Sequence, residues 1–246
     1  IFENWNKFLT EDEQYRIGRF FPDEEYVKKV LDWAGASDET IEHLGSATMG
    51  SAYKINSKEY GDSVLKITHD VDEAMSAAIV SDLDEKNPNI YRIYKVGKVD
   101  FPRSLRKRPI YAILMEVLEQ PTSGMQFIFR FLDPLVKMGQ KGFHRWGHIE
   151  RDNDGIKVFN KRGLLDENLT SLVNVLLTDA EEKGESSEMI IDYINKISNA
   201  LTFLNDNKIF FDDLKASNIL QRSGEPVIID LGRTNPPWRG ELFQKI

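Results

Sequence analysis

The 246-residue sequence has no cysteine, so neither a disulfide framework nor thiolate chemistry is open to it. That absence is compatible with a reducing cytoplasm, the compartment expected here. A basic excess is also missing. Forty Asp and Glu against 32 Lys and Arg leave a net charge of −8, which argues against a broad nucleic-acid surface. The basic run "RSLRKR" at 103–108 has no aromatic interleaving and reads as a solvated loop. No apolar run approaches the roughly 18–20 residues that cross a bilayer, and the start, "IFENWNKFLTEDEQ", is polar and acidic, unlike a secretory signal. Internal repeats and low-complexity tracts are lacking too. No nucleic-acid or membrane partner is therefore expected.

What is present is ordinary globular composition, 41% hydrophobic and 29% charged, in a length that suits one large domain or two lobes. Residues 22–34, "PDEEYVKKVLDWA", predict a helix: Pro22 suits the first turn, acids precede lysines, and Gly35 lies beyond the end. "TIEHLGSATMGSAYKIN" at 40–56 predicts a hairpin, and "DSVLKIT" at 62–68 a third strand. "DVDEAMSAAIVSDL" at 70–83 predicts a helix with Asp70 as N-cap, followed by strands within 89–99 and 110–118.

Beyond "EQPTSG" at 119–124, helical signals take over. "MQFIFRFLDPLVKM" predicts a helix interrupted at Pro134, and 188–205 predicts another from the spacing of Ile190, Ile194, Ile197, Leu201 and Leu204. Between them, "HIERDNDGIKVFN" at 148–160 predicts a hairpin turning at Asp154-Gly155. Its D-x-D-G lacks the glutamate a calcium loop carries at its twelfth position, so it reads as a turn. The expected fold class is α+β. A helical extension would span 1–39, a β-rich lobe 40–118 and a helical lobe 119–246, with a ligand site between the lobes.

Two fragments interrupt the apolar texture with polar side chains: "FFDDLKASNIL" at 210–220 and "VIIDLGR" at 227–233. Phosphoryl transfer from a nucleotide needs a cation and backbone donors at the phosphates, oxygen ligands for magnesium, and a carboxylate at the acceptor hydroxyl. The sequence offers a candidate for each, in order. Gly45 and Gly50 in "LGSATMGSAY" would let backbone approach phosphates. Lys66 in "VLKI" supplies a cation, and Glu73 would pair with it, ahead of Asp72, Asp82 or Glu85. Asp213, Lys215 and Asn218 form D-x-K-x-x-N, and Asp230 follows three apolar residues and precedes Leu231-Gly232.

These motifs resemble the protein-kinase-like superfamily, with signature G-x-G-x-x-G, V-A-I-K, H-R-D-L-x-x-x-N and D-F-G. The likeness runs from about residue 40 to 233. It implies a two-lobed fold with a shortened C-terminal lobe, ATP and Mg²⁺ as cofactors, and a protein substrate. By the same likeness, Gly45 and Gly50 cover the phosphates, Lys66 contacts the α/β-phosphates, and Glu73 holds Lys66. Met115 to Leu118, including Glu116 and Leu118, receive adenine. Asp213 is the catalytic base, Lys215 reaches the γ-phosphate, and Asn218 and Asp230 hold magnesium.

Departures are also present. Ala47 stands at the middle glycine, Phe211 and Asp212 replace the His and Arg of H-R-D, and Leu231 replaces Phe. Only sixteen residues follow Asp230, without A-P-E. The leading expectation is a compact serine/threonine protein kinase that also acts on itself. The alternatives are a small-molecule phosphotransferase of the aminoglycoside-kinase kind, a pseudokinase binding module, and a nucleotidyl transferase.

Overall fold

The computed structural model describes residues 24–46, 50–102, 108–121, 146–152, 155–160, 163–182, 184, 186–211, 214–232 and 240–246. In chain order the elements begin with α1 (Glu24–Ala34), β1 (Ala36–Ser46), β2 (Gly50–Ser57), β3 (Gly61–Thr68), α2 (Val71–Asp82), β4 (Ile93–Val99) and β5 (Ile110–Glu116). They continue with β6 (Trp146–Asp152), β7 (Gly155–Asn160), α3 (Glu167–Glu182), α4 (Ser187–Asp206), β8 (Ile219–Arg222), β9 (Glu225–Ile228) and β10 (Gln244–Lys245). Short 3-10 turns cover Ala216–Asn218 and Gly240–Leu242. The fold class is α+β. The helix expected at 125–138 and most of the basic run at 103–108 lie outside the described residues, and α3 was not singled out from the sequence.

Two compact units divide the chain. The first comprises residues 1–84, 92–117 and 238–246, the second 85–91 and 118–237. Relative to the expected division, α1 belongs with the sheet rather than standing apart, because Val27, Val30, Leu31 and Ala34 form an apolar stripe on it. Residues 85–91 join the second unit, and residues 238–246 return to the first.

In the first unit, β1-β2-β3-β5-β4-β10 form one sheet, antiparallel except for the final β4–β10 pair. Both faces are covered, so the central β5, "IYAILME", is a continuous apolar run rather than an alternating one. One face carries Tyr53, Ile55, Leu65, Ile67, Ile110, Ala112 and Leu114 beneath α1. The other carries Val96, Tyr111 and Ile113 beneath Ala74, Ala77 and Ala78 of α2. Small residues on α2 let the helix lie close to the strands. β10 pairs with β4 through Gln244↔Gly97 and Lys245↔Lys98. A Cβ on Gly97 would lie 2.9 Å from the Trp33 ring and collide with Ile246, so only a bare α-carbon admits both side chains.

The second unit packs α3 on β7, and α4 on β6 and β9. Asn195 of α4 exchanges two hydrogen bonds with the Ile149 backbone of β6, its Oδ1 accepting from the N–H at 2.8 Å and its Nδ2 donating to the carbonyl at 2.9 Å. Lys196 bridges Asp192 and Glu225 at 2.6 and 2.5 Å, tying α4 to β9, and the Tyr193 hydroxyl donates to the Gly224 carbonyl.

Burial pushes the Tyr193 phenol above its ordinary pKa, and burial does the same to Tyr111 in the first unit. The hydrogen bonds that Lys196 donates to Asp192 and Glu225 likewise raise its pKa. Groups raised on folding hold more protons in the folded than in the unfolded chain. Their contribution is complete below the unfolded values, near 10 for Tyr and 10.4 for Lys, and falls away as pH climbs through the folded ones. Urea midpoints should therefore decline as pH passes about 10. Tyr193→Phe should flatten the decline, and an unaltered slope in that variant would remove Tyr193 as a cause.

Candidate functional site

Lys66 lies in mid-β3, with Ala52 of β2 and Ile113 of β5 as its cross-strand neighbours. Its ammonium forms an ion pair with Glu73, and the two side chains are 20% and 4% exposed. The short connection makes this pairing possible. Thr68 Oγ1 accepts from the Asp70 N–H at 3.0 Å, and Asp70 Oδ1 accepts from the N–H groups of Asp72 and Glu73 at 3.0 and 3.1 Å. Only two residues thus separate the strand from the capped helix, whose first turn folds back over the Lys66 side of the sheet. Of the alternatives weighed for Glu73, all three side chains, Asp72, Asp82 and Glu85, are exposed.

Gly45 and Gly50, equivalent in the sequence reading, are not equivalent in the structure. A Cβ at Gly50 would sit 2.5 Å from the Ile67 carbonyl oxygen, so packing against β3 alone demands glycine there. At Gly45 nothing lies within 4 Å. Gly45→Ala should therefore leave thermal stability nearly unchanged, whereas Gly50→Ala should destabilise by about 1–3 kcal/mol through overpacking. Equal melting temperatures for the two variants would contradict this geometry. Ala47 falls outside the described residues.

Glu116 ends β5 and is buried. Its carboxylate accepts from the Arg92 N–H at 2.6 Å, and its own N–H donates to the Arg92 carbonyl at 3.1 Å. The expected adenine contact cannot then use the Glu116 N–H, which the β4 entrance already takes. Leu118, in the second unit, is half-buried and precedes Glu119, which exchanges main-chain hydrogen bonds with Gln221 of β8 at 2.9 and 3.0 Å.

The second unit brings Asn218 and Asp230 together. β8 and β9 form a hairpin with Ile219 opposite Ile228, and the Ile229 N–H donates to the Asn218 carbonyl at 2.9 Å. Asn218 and Asp230 therefore flank the open end of one hairpin, although eleven residues separate them in sequence. Asn218 is buried, and its N–H donates to the Lys215 carbonyl at 2.9 Å, while the Lys215 side chain is exposed.

Asp230 has φ 58°, a left-handed conformation that few non-glycine residues adopt and that Asp tolerates better than most. Asp212 and Asp213 lie outside the described residues, while Phe211 and Leu214 on either side of them are buried. Phe211 is thus a core residue here.

Both edges of the hairpin are clamped. The Ile228 N–H donates to the Asn89 carbonyl at 2.8 Å, the Tyr91 N–H donates to the Ile228 carbonyl at 3.1 Å, and Glu119 holds β8. Asn89 donates to the Pro226 carbonyl at 2.8 Å, and Arg222 donates to the carbonyls of Pro88 and Ile90 at 2.5 and 3.3 Å. Arg92, Asn89 and Arg222 were not picked out from the sequence. Asn89 and Arg222 act on main-chain atoms and Arg92 through its own, which no motif or periodicity marks.

Asn218 and Asp230 bring an amide and a carboxylate to the same end of the hairpin. That hard-oxygen set suits magnesium, which keeps waters and phosphate oxygens as its remaining ligands. Among the described residues, no cluster of three or more His, Asp or Glu could hold a metal by itself, and no helix is long and apolar enough to cross a membrane. No protein-family model matches the chain, and no curated protein matches it.

Proposed function

We propose that the chain transfers the γ-phosphoryl group of ATP to serine or threonine hydroxyls of proteins, its own included. The observation that carries this reading is the buried Lys66–Glu73 pair. Desolvating two charges against an apolar sheet is weak as a source of stability, since hydrophobic residues of the same volume do as well or better. A lysine held by a carboxylate at that position suits a group that must meet phosphate oxygens in one orientation. Further support comes from the order of elements in the first unit. Hairpin, strand, helix and two strands follow the order expected of a kinase-like N-terminal lobe. The second unit, with α3, α4 and the β8–β9 hairpin, fits a shortened C-terminal lobe.

In this reading Lys66 binds the α/β-phosphates, Glu73 orients it, and Gly45 keeps the loop open to the phosphates. Met115 to Leu118 face adenine. Asp213 orients the acceptor hydroxyl and takes its proton as the new O–P bond forms and the γ-phosphorus parts from its bridging oxygen, which leaves on ADP, while Lys215 meets the γ-phosphate. Asn218 and Asp230 would hold magnesium, which when bound offsets the negative charge of the phosphates.

Incubation with γ-labelled ATP and magnesium, beside Asp213→Ala and Asp230→Ala, tests the reading. Label on the protein or on an added protein substrate, lost in both variants, is the expected result. Label on small alcohols or sugars instead would make this a small-molecule phosphotransferase. Nucleotide binding by thermal shift without any transfer would make it a binding module.

A further inference from the structure

The residues 241–246 are joined to the first unit in two ways. At one end, Leu242 and Phe243 pack against the cluster of Ala74, Ala77 and Ala78 from α2 with Val96, Tyr111 and Ile113 from the sheet. The Phe243 and Tyr111 rings are 5.1 Å apart and tilted by 47°. At the other end, Gln244 accepts from the Trp33 indole at 3.0 Å, the Ile246 N–H donates to the Lys98 carbonyl at 3.1 Å, and Ile246 packs with the α1 core. The segment thus grips the β4 edge and reaches both faces of the sheet. Its first end touches the helix that carries Glu73.

That helix is unusual in how it is held. Every residue from Glu73 to Val80 is buried, yet the side chains facing the sheet are mostly alanines, which bring little area of their own. Leu242 and Phe243 add large apolar groups to a cluster in which α2 places only Ala74, Ala77 and Ala78. Ala74 and Ala77, members of the cluster they pack against, lie one and four positions after Glu73, so pressure on that cluster acts on the turn that aims its carboxylate.

We infer that Phe243, with Leu242, is a positioning residue that seats α2 and thereby holds Glu73 on Lys66. The inference rests on the phosphotransfer reading for its activity readout, and on geometry alone for a second one. Phe243→Ala should lower kcat about tenfold, with a smaller change in KM for ATP. Phe243→Leu should restore most of the rate. Gln244→Ala, at the other end of the same segment, should lower the urea midpoint while leaving kcat at the wild-type value.

In a Glu73→Gln background, Phe243→Ala should cost less than about twofold, because its effect runs through Glu73. An equal loss in both backgrounds, or no loss in either, would overturn the inference while leaving the phosphotransfer reading intact. If the unaltered protein transfers no phosphate, that reading falls instead, and the inference is judged by the reactivity of the Lys66 amine toward an acylating reagent. Faster acylation in Phe243→Ala but not in Gln244→Ala would uphold it, and equal acylation would overturn it.

Discussion

Replacing Lys66 by methionine should destabilise the first unit by about 3–5 kcal/mol and bring phosphoryl transfer to background. Methionine nearly matches the length and volume of lysine, so packing between Ala52 and Ile113 is kept. What is lost is the cation beside a carboxylate that is only 4% exposed. Glu73 must then stay charged without its ammonium partner, or take up a proton, and either costs free energy. The double variant Lys66→Met/Glu73→Leu removes both charges and should regain most of the lost stability. It should remain inactive, because the group that meets the phosphates is still missing. Urea denaturation and label transfer on the same three proteins separate the two effects. A Lys66→Met protein as stable as the original would show that the pair does not constrain Glu73.

Asp230→Gly should lower magnesium-dependent turnover at least about a hundredfold while leaving stability within about 1 kcal/mol of the original. The φ of 58° is the reason the two readouts part. Glycine enters the left-handed region without steric cost, which favours the folded state, but it also loosens the unfolded chain, and the two effects are of similar size. Asp230→Ala has the same loss of a metal ligand but a Cβ and no side-chain oxygen to ease the backbone. It should therefore be the less stable of the pair by about 1 kcal/mol. Equal stability would mean the left-handed backbone is not retained in both. Turnover that survives in Asp230→Gly would remove Asp230 from the metal site.

Helices α1, α2 and α4 and the β1–β2 and β6–β7 hairpins could be read from the sequence because their signals are local. Asp70 caps α2, and the apolar spacing of α4 lies between its Ser186 and Asn207 caps. The partner of Lys66 was harder, with four acids within reach in sequence. The decision lies in a turn of two residues, where Thr68 and Asp70 set the entry angle of the helix. The two loop glycines looked alike because nothing local records the Ile67 carbonyl behind Gly50. Least legible were the pairings made across the chain. β10 is two residues long, and residues 88–91 clamp β9 through backbone atoms. Such segments carry too few residues for a period to show, and their partners lie far away in sequence. The proximity of Asn218 to Asp230 fell between these extremes. The motifs named both residues, and the hairpin register then brought them to one end.

The return of residues 240–246 to β4 has a bearing on how the protein is made. A ribosome delivers β4 early and β10 late, with roughly 150 residues between Gly97 and Ile246. At about 5–20 residues per second, that is an interval of about 7–30 s. During it the β4 edge and the alanine face of α2 await their cover, while residues 118–237, most of the second unit, are synthesised. The nascent first unit therefore spends its longest wait with a strand edge open to other chains, and a chaperone has its clearest opportunity then.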